Sequence, residues 1–271
     1  MHTLPLRTAA LLVLVTALLS GTTGCSSTKG KTHETETLTA AELYHDAERA
    51  LKVGNFPRAS QYLRRLQARF PFSPYAEQAQ LQLAYAHFRN DRPEKALAAA
   101  KRFIRTYPTH KNVDYAYYLK GLVNFERSRN FFDRFLPEAE HARDLQFAEQ
   151  AFFDFSDLVN RFPDSQYAAD ARQRMVYLRN LMAEQELLVA RYYLRRGAWV
   201  AAQNRARYTI EHFPGSPQSV EALDVLARAY EGLNRHDLAQ QARQTLALNR
   251  DKLPQDSHRH DKRWFQYLWP F

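Results

Sequence analysis

The chain has 271 residues, of which 45% are hydrophobic and 13% are aromatic, and this composition can fill a sizeable core. Its formal net charge of +9 is compatible with nucleic acid, an anionic membrane or an acidic protein as a partner. The single cysteine excludes an intrachain disulfide framework, so the chain folds by packing alone.

The first predicted element is a lipoprotein signal peptide, residues 1–24. Its apolar run, residues 9–19, is shorter than the roughly 20 residues that a membrane-spanning helix needs. Small residues then lead to Cys25 in a layout that resembles the bacterial lipoprotein processing site, although Thr22 stands where that site usually has leucine. The resemblance implies cleavage before Cys25, with S-diacylglycerol and N-palmitoyl groups on it. Because Ser26 is not aspartate, it also implies anchoring at the periplasmic face of the outer membrane. Ordinary cleavage that leaves a free thiol is the alternative.

Residues 25–37 are polar and unpatterned, which predicts a flexible tether between the lipid and the folded body. From Leu38 onward, apolar residues recur at three- and four-residue spacing and predict helices throughout. An exported protein is also a poor partner for nucleic acid, which leaves a membrane surface and other proteins as the expected partners.

An internal repeat organises these helices. Four segments contain an aromatic residue followed by proline, and this pair predicts a helix end because the residue before proline avoids helical geometry. An alanine lies twelve residues before each of these prolines. The four alanines are Ala59, Ala96, Ala151 and Ala202, and Ala239 marks a similar fifth helix. This spacing is typical of the tetratricopeptide repeat, a helix–turn–helix unit of about 34 residues. The sequence therefore predicts an all-α tetratricopeptide-repeat solenoid of five repeats, with a non-repeating helical bundle as the alternative.

Two repeats carry insertions. The predicted repeats cover residues 40–73, 76–110, 112–165, 167–216 and 219–252. In the third repeat, ERSRNFFDRFLPEAEHARDL is expected to form a loop between its two helices. In the fourth, the first helix is expected to run from about Tyr167 to Arg196, since no proline or glycine interrupts it.

The sequence contains no pattern that predicts catalysis. It has no glycine-rich phosphate loop, no cysteine and histidine spacing typical of a metal site, and no His-Glu-x-x-His motif. We therefore expect no enzymatic activity, no metal and no cofactor apart from the lipid on Cys25.

A solenoid of this kind has an inner wall built from the first helix of each repeat, and this wall can bind a peptide. The repeat register places aromatic side chains and one arginine on it, which suits an extended peptide with apolar side chains and a terminal carboxylate. The predicted peptide-groove residues are Tyr44, Tyr85, Phe88, Arg89, Tyr115 and Tyr118, on a wall that also includes Glu48, Lys52, Gln78, Leu81, Leu122 and Phe125. The alternative for each aromatic residue is packing between repeats.

Several longer strings point to a known family. They are RFPFSPYAEQAQLQLAYA, RFIRTYPTHKNVDYAYYLKGL, FSDLVNRFPDSQYAADA and ARYYLRRGAWVAAQNR, in this order. The chain resembles the YfiO/ComL family, the BamD lipoproteins of the outer-membrane β-barrel assembly machinery. The resemblance implies a non-enzymatic scaffold that binds a BamA-type barrel protein and accessory Bam lipoproteins, and that recognises C-terminal signals of unfolded outer-membrane proteins.

The resemblance also divides the chain between these roles. Residues 38–165 would face the substrate, and residues 166–252 would face BamA. The residues expected at the BamA interface are Arg196, Gly197, Trp199 and Arg207. A different class of function shares the same repeats: an envelope adaptor lipoprotein that organises peptidoglycan or cell-division enzymes.

The last segment, residues 253–271, is a basic and aromatic tail. It alternates Tyr267, Trp269 and Phe271 after a basic run. Cations beside tryptophan and tyrosine favour the headgroup region of an anionic membrane. Packing on the last repeat and imitation of a substrate in the groove are the two alternatives.

Overall fold

The computed structural model describes residues 37–134 and 145–249, and these residues form ten α-helices without a β-strand. The helices are α1 (Ala40–Lys52), α2 (Phe56–Arg69), α3 (Ala76–Arg89), α4 (Pro93–Thr106), α5 (Val113–Arg134), α6 (Gln146–Arg161), α7 (Ala168–Arg195), α8 (Trp199–His212), α9 (Gln218–Gly232) and α10 (His236–Asn249). The predicted signal peptide, the lipidation site at Cys25, nearly all of the tether and the C-terminal tail lie outside the described residues.

The ten helices form five consecutive pairs. Each helix packs against the next one in the chain, and first helices of neighbouring repeats also touch, α3 with α5 and α7 with α9. Contact between sequential neighbours is the arrangement of a repeat solenoid. The predicted all-α fold of five helix–turn–helix repeats is therefore confirmed.

The aromatic-proline pairs end the second helices, as predicted. Phe70, Tyr107, Phe162 and Phe213 each cap a helix with φ between −132° and −123°, away from helical geometry. At the other end of the first repeat, Thr39 and Glu42 form a reciprocal capping box that starts α1.

The repeated alanines lie where the two helices of a pair cross. Ala59, Ala96, Ala151 and Ala202 are completely buried and Ala239 is 2% exposed. In the third repeat the first helix has Gly121 at its crossing point, against the ring of Phe155 on α6. Small side chains are needed there because a larger one would separate the helices.

The insertion in the third repeat differs from the prediction. The expected loop starts at Glu126, but α5 continues without a break to Arg134. Nothing between these residues is proline or glycine, and the first proline is Pro137, so the helix has no reason to stop earlier. The assignment of the first part of this segment to a loop is wrong, and residues 135–144 lie outside the description.

The long helix α7 joins two hydrophobic cores. Its 28 residues match the predicted span and give a rod of about 42 Å. Leu178 and Met182 belong to a core with α5 and α6, whereas Leu187 and Leu194 belong to a core with α8 and α9. The helix therefore links the third repeat to the last two.

Candidate functional site

The pocket between the second and third repeats contains two of the predicted groove residues. Phe88 and Arg89 at the end of α3 line it, and α5 contributes Val123, Glu126 and Arg127. Asp91 and Pro93, at the α3–α4 turn, complete a cavity of about 220 Å³.

Aromatic rings hold Arg89 in position. Its guanidinium lies 4.8 Å from the ring centre of Phe56 on α2, and its Nη1 donates a hydrogen bond of 2.8 Å to the hydroxyl of Tyr85. The rings of Phe56 and Tyr85 meet edge to face at 6.2 Å. The predicted residues Tyr85, Phe88 and Arg89 are thus brought together at one site.

Arg127 faces the same pocket from the other repeat. Its Nη2 lies 3.2 Å from a carboxylate oxygen of Glu94, and its guanidinium is 4.0 Å from the ring centre of Phe147 on α6. Two arginines that line an apolar floor can bind a carboxylate, and Asp91 and Glu126 can accept hydrogen bonds from backbone amides. The lining therefore suits the carboxyl-terminal end of an extended peptide.

Sequence reasoning expected α5 to line the groove through other residues, and it missed the three α5 residues that line this pocket. Glu126 and Arg127 were expected in a loop, and the signal that would have placed them on a helix is the absence of helix breakers up to Arg134. Val123 lies one turn before them on the same helix.

Tyr44 contacts the next repeat rather than the pocket. Its ring stacks on Tyr75 at 4.9 Å, and its hydroxyl accepts a hydrogen bond of 3.2 Å from Gln82 on α3. Burial raises the pKa of its phenol. Its observed contacts tie the first repeat to the second.

Tyr115 and Tyr118 on α5 pack against the fourth repeat. The ring of Tyr118 stacks on Tyr167 at 4.8 Å, and its hydroxyl donates a 2.5 Å hydrogen bond to Asp170 on α7. Arg174 donates to the same carboxylate oxygen at 2.6 Å. Burial strongly raises the pKa of both phenols. Neither tyrosine lines the pocket, but Tyr115 packs in one cluster with Tyr85 and Phe88 beside it, whereas Tyr118 does not.

Two further wall residues are part of the core. Leu81 is 3% exposed and Phe125 is completely buried, so neither can contact a peptide. The expectation that they line the groove is wrong, because the helix face that carries them meets the neighbouring helices instead of solvent.

Three of the four residues predicted at the BamA interface, Arg196, Gly197 and Trp199, lie at the turn from α7 to α8. Gly197 adopts φ +72°, which glycine tolerates without strain. The ring of Trp199 covers Gly232 of α9, where an added Cβ would lie 2.3 Å from the Trp199 Cδ2 atom. Arg196 is exposed, with its guanidinium 5.4 Å from the ring centre of Tyr192. Trp199 therefore packs the last two repeats together, and Arg196 is available to a partner.

An exposed stripe runs along α8 beyond this turn. Val200 is 58% exposed and Tyr208 is 41% exposed, and Arg207 is exposed between them in the chain. Helical spacing of seven and eight residues places these three side chains on one face. We call Val200, Arg207 and Tyr208 the α8 stripe. Sequence reasoning found only Arg207, although this spacing was visible.

The described residues show no features of a metal or membrane-spanning site. Among them, no group of three or more histidine, cysteine, aspartate or glutamate side chains could hold a metal ion. None of the described helices is both long enough and apolar enough to cross a membrane.

Comparison with solved structures finds helical repeat proteins at low similarity. The crystal structure of MamA matches with a TM-score of 0.37 and 17% identity, over 76% of this chain and 95% of that chain. A tetratricopeptide repeat protein from Parabacteroides merdae has a TM-score of 0.36 at 13% identity, over 77% of this chain and 79% of that one. The repeat assignment rests on the helix pairs of the chain itself.

Comparison with protein families and curated proteins is more specific. The model of the YfiO family, described as an outer membrane lipoprotein, matches residues 36–246. A protein of Xylella fastidiosa (strain 9a5c) named outer membrane protein assembly factor BamD is 38% identical over 96% of this chain and 86% of its own length. Relatives with the same name are 37% identical in Neisseria gonorrhoeae, over 94% of this chain and 98% of the relative, and 36% identical in Vibrio cholerae, over 83% and 92%. The chain therefore belongs to the YfiO family of outer membrane lipoproteins.

Proposed function

We propose that this protein is a non-enzymatic scaffold in the assembly of outer-membrane proteins. The observation that carries the proposal is the similarity to proteins named outer membrane protein assembly factor over nearly the full length of both chains. The five helical repeats support it, because such solenoids present extended surfaces for partners.

The finer roles are assigned to two separate surfaces. The pocket of Phe88, Arg89 and Arg127 recognises the C-terminal signal of an unfolded outer-membrane protein. The α8 stripe, with Arg196, Gly197 and Trp199 at its start, forms the interface with a BamA-type barrel protein, and accessory lipoproteins bind elsewhere on the solenoid. Lipid on Cys25 anchors the scaffold at the periplasmic face of the outer membrane. Separation of the two surfaces allows substrate and barrel protein to bind together.

Affinity purification tests the assembly role. The tagged full-length protein is extracted from its native envelope in mild detergent, and the proteins that co-purify are identified by mass spectrometry. We expect a BamA-type barrel protein in near-equal amount and a lipid mass increase on Cys25. Recovery of peptidoglycan or cell-division enzymes without a barrel protein would instead support the envelope adaptor.

The α8 stripe is tested in the same purification with charge substitutions. Val200→Asp places a carboxylate at the N-terminal end of the stripe, next to Trp199, and we expect the barrel protein to be lost. Leu248→Asp on α10 is the matched control, since Leu248 is 71% exposed and its substitution should leave the recovery unchanged. If the barrel protein were recovered equally with both variants, the α8 stripe would not be part of the interface.

The pocket is tested with fluorescent peptides that end in an aromatic residue. The free carboxylate and the amidated form of one peptide are compared on the wild type and on Arg89→Met. We expect amidation to weaken binding to the wild type more than binding to Arg89→Met, because the variant has already lost one of the two arginines that face the carboxylate. Arg228→Met, an exposed arginine of α9, should bind like the wild type. Equal affinity for the two peptides would contradict carboxylate recognition by Arg89.

A further inference from the structure

The second helices of the first two repeats carry a concentration of positive charge. Helix α2 contains four arginines and no acidic residue. Helix α4 contains four cations and one acid, Glu94. We call this surface the α2–α4 basic face and define it by seven side chains: Arg64, Arg65, Arg92, Lys95, Lys101, Arg102 and Arg105.

The cations of this face lack the ion pairs found in other repeats. On α7, for example, Arg191 contacts Glu184 at 2.7 Å and Glu221 at 3.0 Å. Among the side chains that the structure describes, those of residues 37–128 and 145–249, no carboxylate pairs with a member of the α2–α4 basic face. The single acid of α4, Glu94, is engaged by Arg127 of α5. The positive charge of the face is therefore not neutralised by the part of the protein that the structure describes.

The buried imidazole of His87 on α3 shows that cations from different segments converge. Its exposed fraction is 8%, and its Nδ1 has no hydrogen-bond partner among the described groups. Burial, followed by the positive charges of Arg64, Lys95 and Arg92, lowers the pKa of this imidazole. Helix α2, the α3–α4 turn and helix α4 therefore contribute to one positive field.

The chemistry of the face favours lipid headgroups over a protein partner. A protein interface usually has an apolar or aromatic centre. None of the large apolar side chains that are exposed in the described chain belongs to α2 or α4. Six of the seven members of the face are exposed and Arg65 is half-buried. Long, flexible cations without an apolar centre suit a layer of phosphate groups, which is charged and laterally mobile.

We propose that the α2–α4 basic face binds the anionic headgroups of a phospholipid membrane and holds the first two repeats against its surface. The inference does not depend on the proposed assembly role, because it uses only the charge and exposure of α2, α4 and the turn before α4, together with the surroundings of His87. The peptide pocket is lined by α3 and α5 and also by Asp91 and Pro93, which flank Arg92, so one edge of the face lies next to the pocket.

Lysine labelling tests the proposal on the full-length protein. The protein is bound to vesicles of phosphatidylcholine, or to vesicles in which phosphatidylglycerol replaces part of it, and amine acetylation is followed by mass spectrometry. We expect labelling of Lys95 and Lys101 to fall by about fivefold or more in the anionic vesicles. Lys52 at the end of α1 is an exposed lysine of a first helix and serves as the internal control, with unchanged labelling. High salt should restore labelling of Lys95 and Lys101, because it screens the charges.

A charge-reversal variant supplies the second arm. Arg102 and Arg105 are exposed, so R102E/R105E should keep the fold and remove the protection of Lys101. R228E on α9 is the matched control, and its protection pattern should equal that of the wild type.

The proposal would be overturned by equal protection in neutral vesicles, by equal protection of Lys52, or by no protection of Lys95 and Lys101. Protection by inorganic phosphate without vesicles would identify a site for a free anion and would also contradict membrane binding. Absence of a barrel protein in the purification would leave this experiment unaffected, so the two proposals can fail separately.

Discussion

Adding one methyl group at Gly121 should destabilise the third repeat. Gly121 lies on α5 where it crosses α6, and a Cβ built there would lie 2.4 Å from Cε1 and 2.5 Å from Cδ1 of Phe155. Carbon atoms in contact normally lie about 3.5–4.0 Å apart. The Gly121→Ala substitution therefore forces the ring or the helix to move by roughly 1 Å.

Two opposing effects set the size of the loss. Alanine is favoured over glycine inside a helix by about 1 kcal/mol. Phe155 is completely buried, with Tyr118 and Phe125 among its neighbours, so its ring cannot turn towards solvent. Overpacking of such a site costs about 1–3 kcal/mol. We expect a net loss of up to about 2 kcal/mol, which corresponds to a fall in Tm of up to roughly 8 °C for a chain of this size.

Thermal and urea unfolding, followed by circular dichroism, measure this loss. The Phe155→Leu background provides the control, since it removes the ring atoms that collide with the new methyl group. In that background Gly121→Ala should lower the free energy of unfolding by less than it does in the wild type, or should raise it, because alanine has a higher helix propensity than glycine. If Gly121→Ala raised Tm in the wild-type background, the close packing of α5 on α6 would be refuted.

Two further substitutions test buried polar groups. The pKa of His87 is lowered in the folded chain, so the unfolded chain binds a proton first and the free energy of unfolding falls as the pH drops below about 6.5. His87→Gln should flatten this dependence below about pH 6.5 in urea unfolding, and an unchanged slope would contradict it. Tyr118→Phe removes the hydrogen bond to Asp170 and should lower the free energy of unfolding by about 1.5–3 kcal/mol, because the acceptor is a partly buried carboxylate. If Tyr118→Phe unfolded at the same urea concentration as the wild type, the hydrogen bond from Tyr118 to Asp170 would not stabilise the interface.

The amino-acid sequence by itself determined the fold class and the repeat limits. Small residues are required where two helices cross, and proline is required to be absent from helix interiors, so both are visible as spacing in the chain. Ala59 and Ala202 are buried at such crossings, and the aromatic residue before each proline ends a helix. The same rule, applied more strictly, would have continued α5 through Glu126 to Arg134.

Only the tertiary structure decided which aromatic residues face a site and which pack against a neighbour. Tyr85 and Tyr118 were both predicted on the groove wall, yet Tyr85 lies beside Arg89 whereas Tyr118 meets Asp170 in the next repeat. Helical spacing specifies the face of a helix but not what lies opposite it, because that partner comes from a distant part of the chain. For the same reason, the sequence could not tell which cations are neutralised. Arg191 has carboxylate partners that include one on another helix, whereas the cations of the α2–α4 basic face have none among the described side chains.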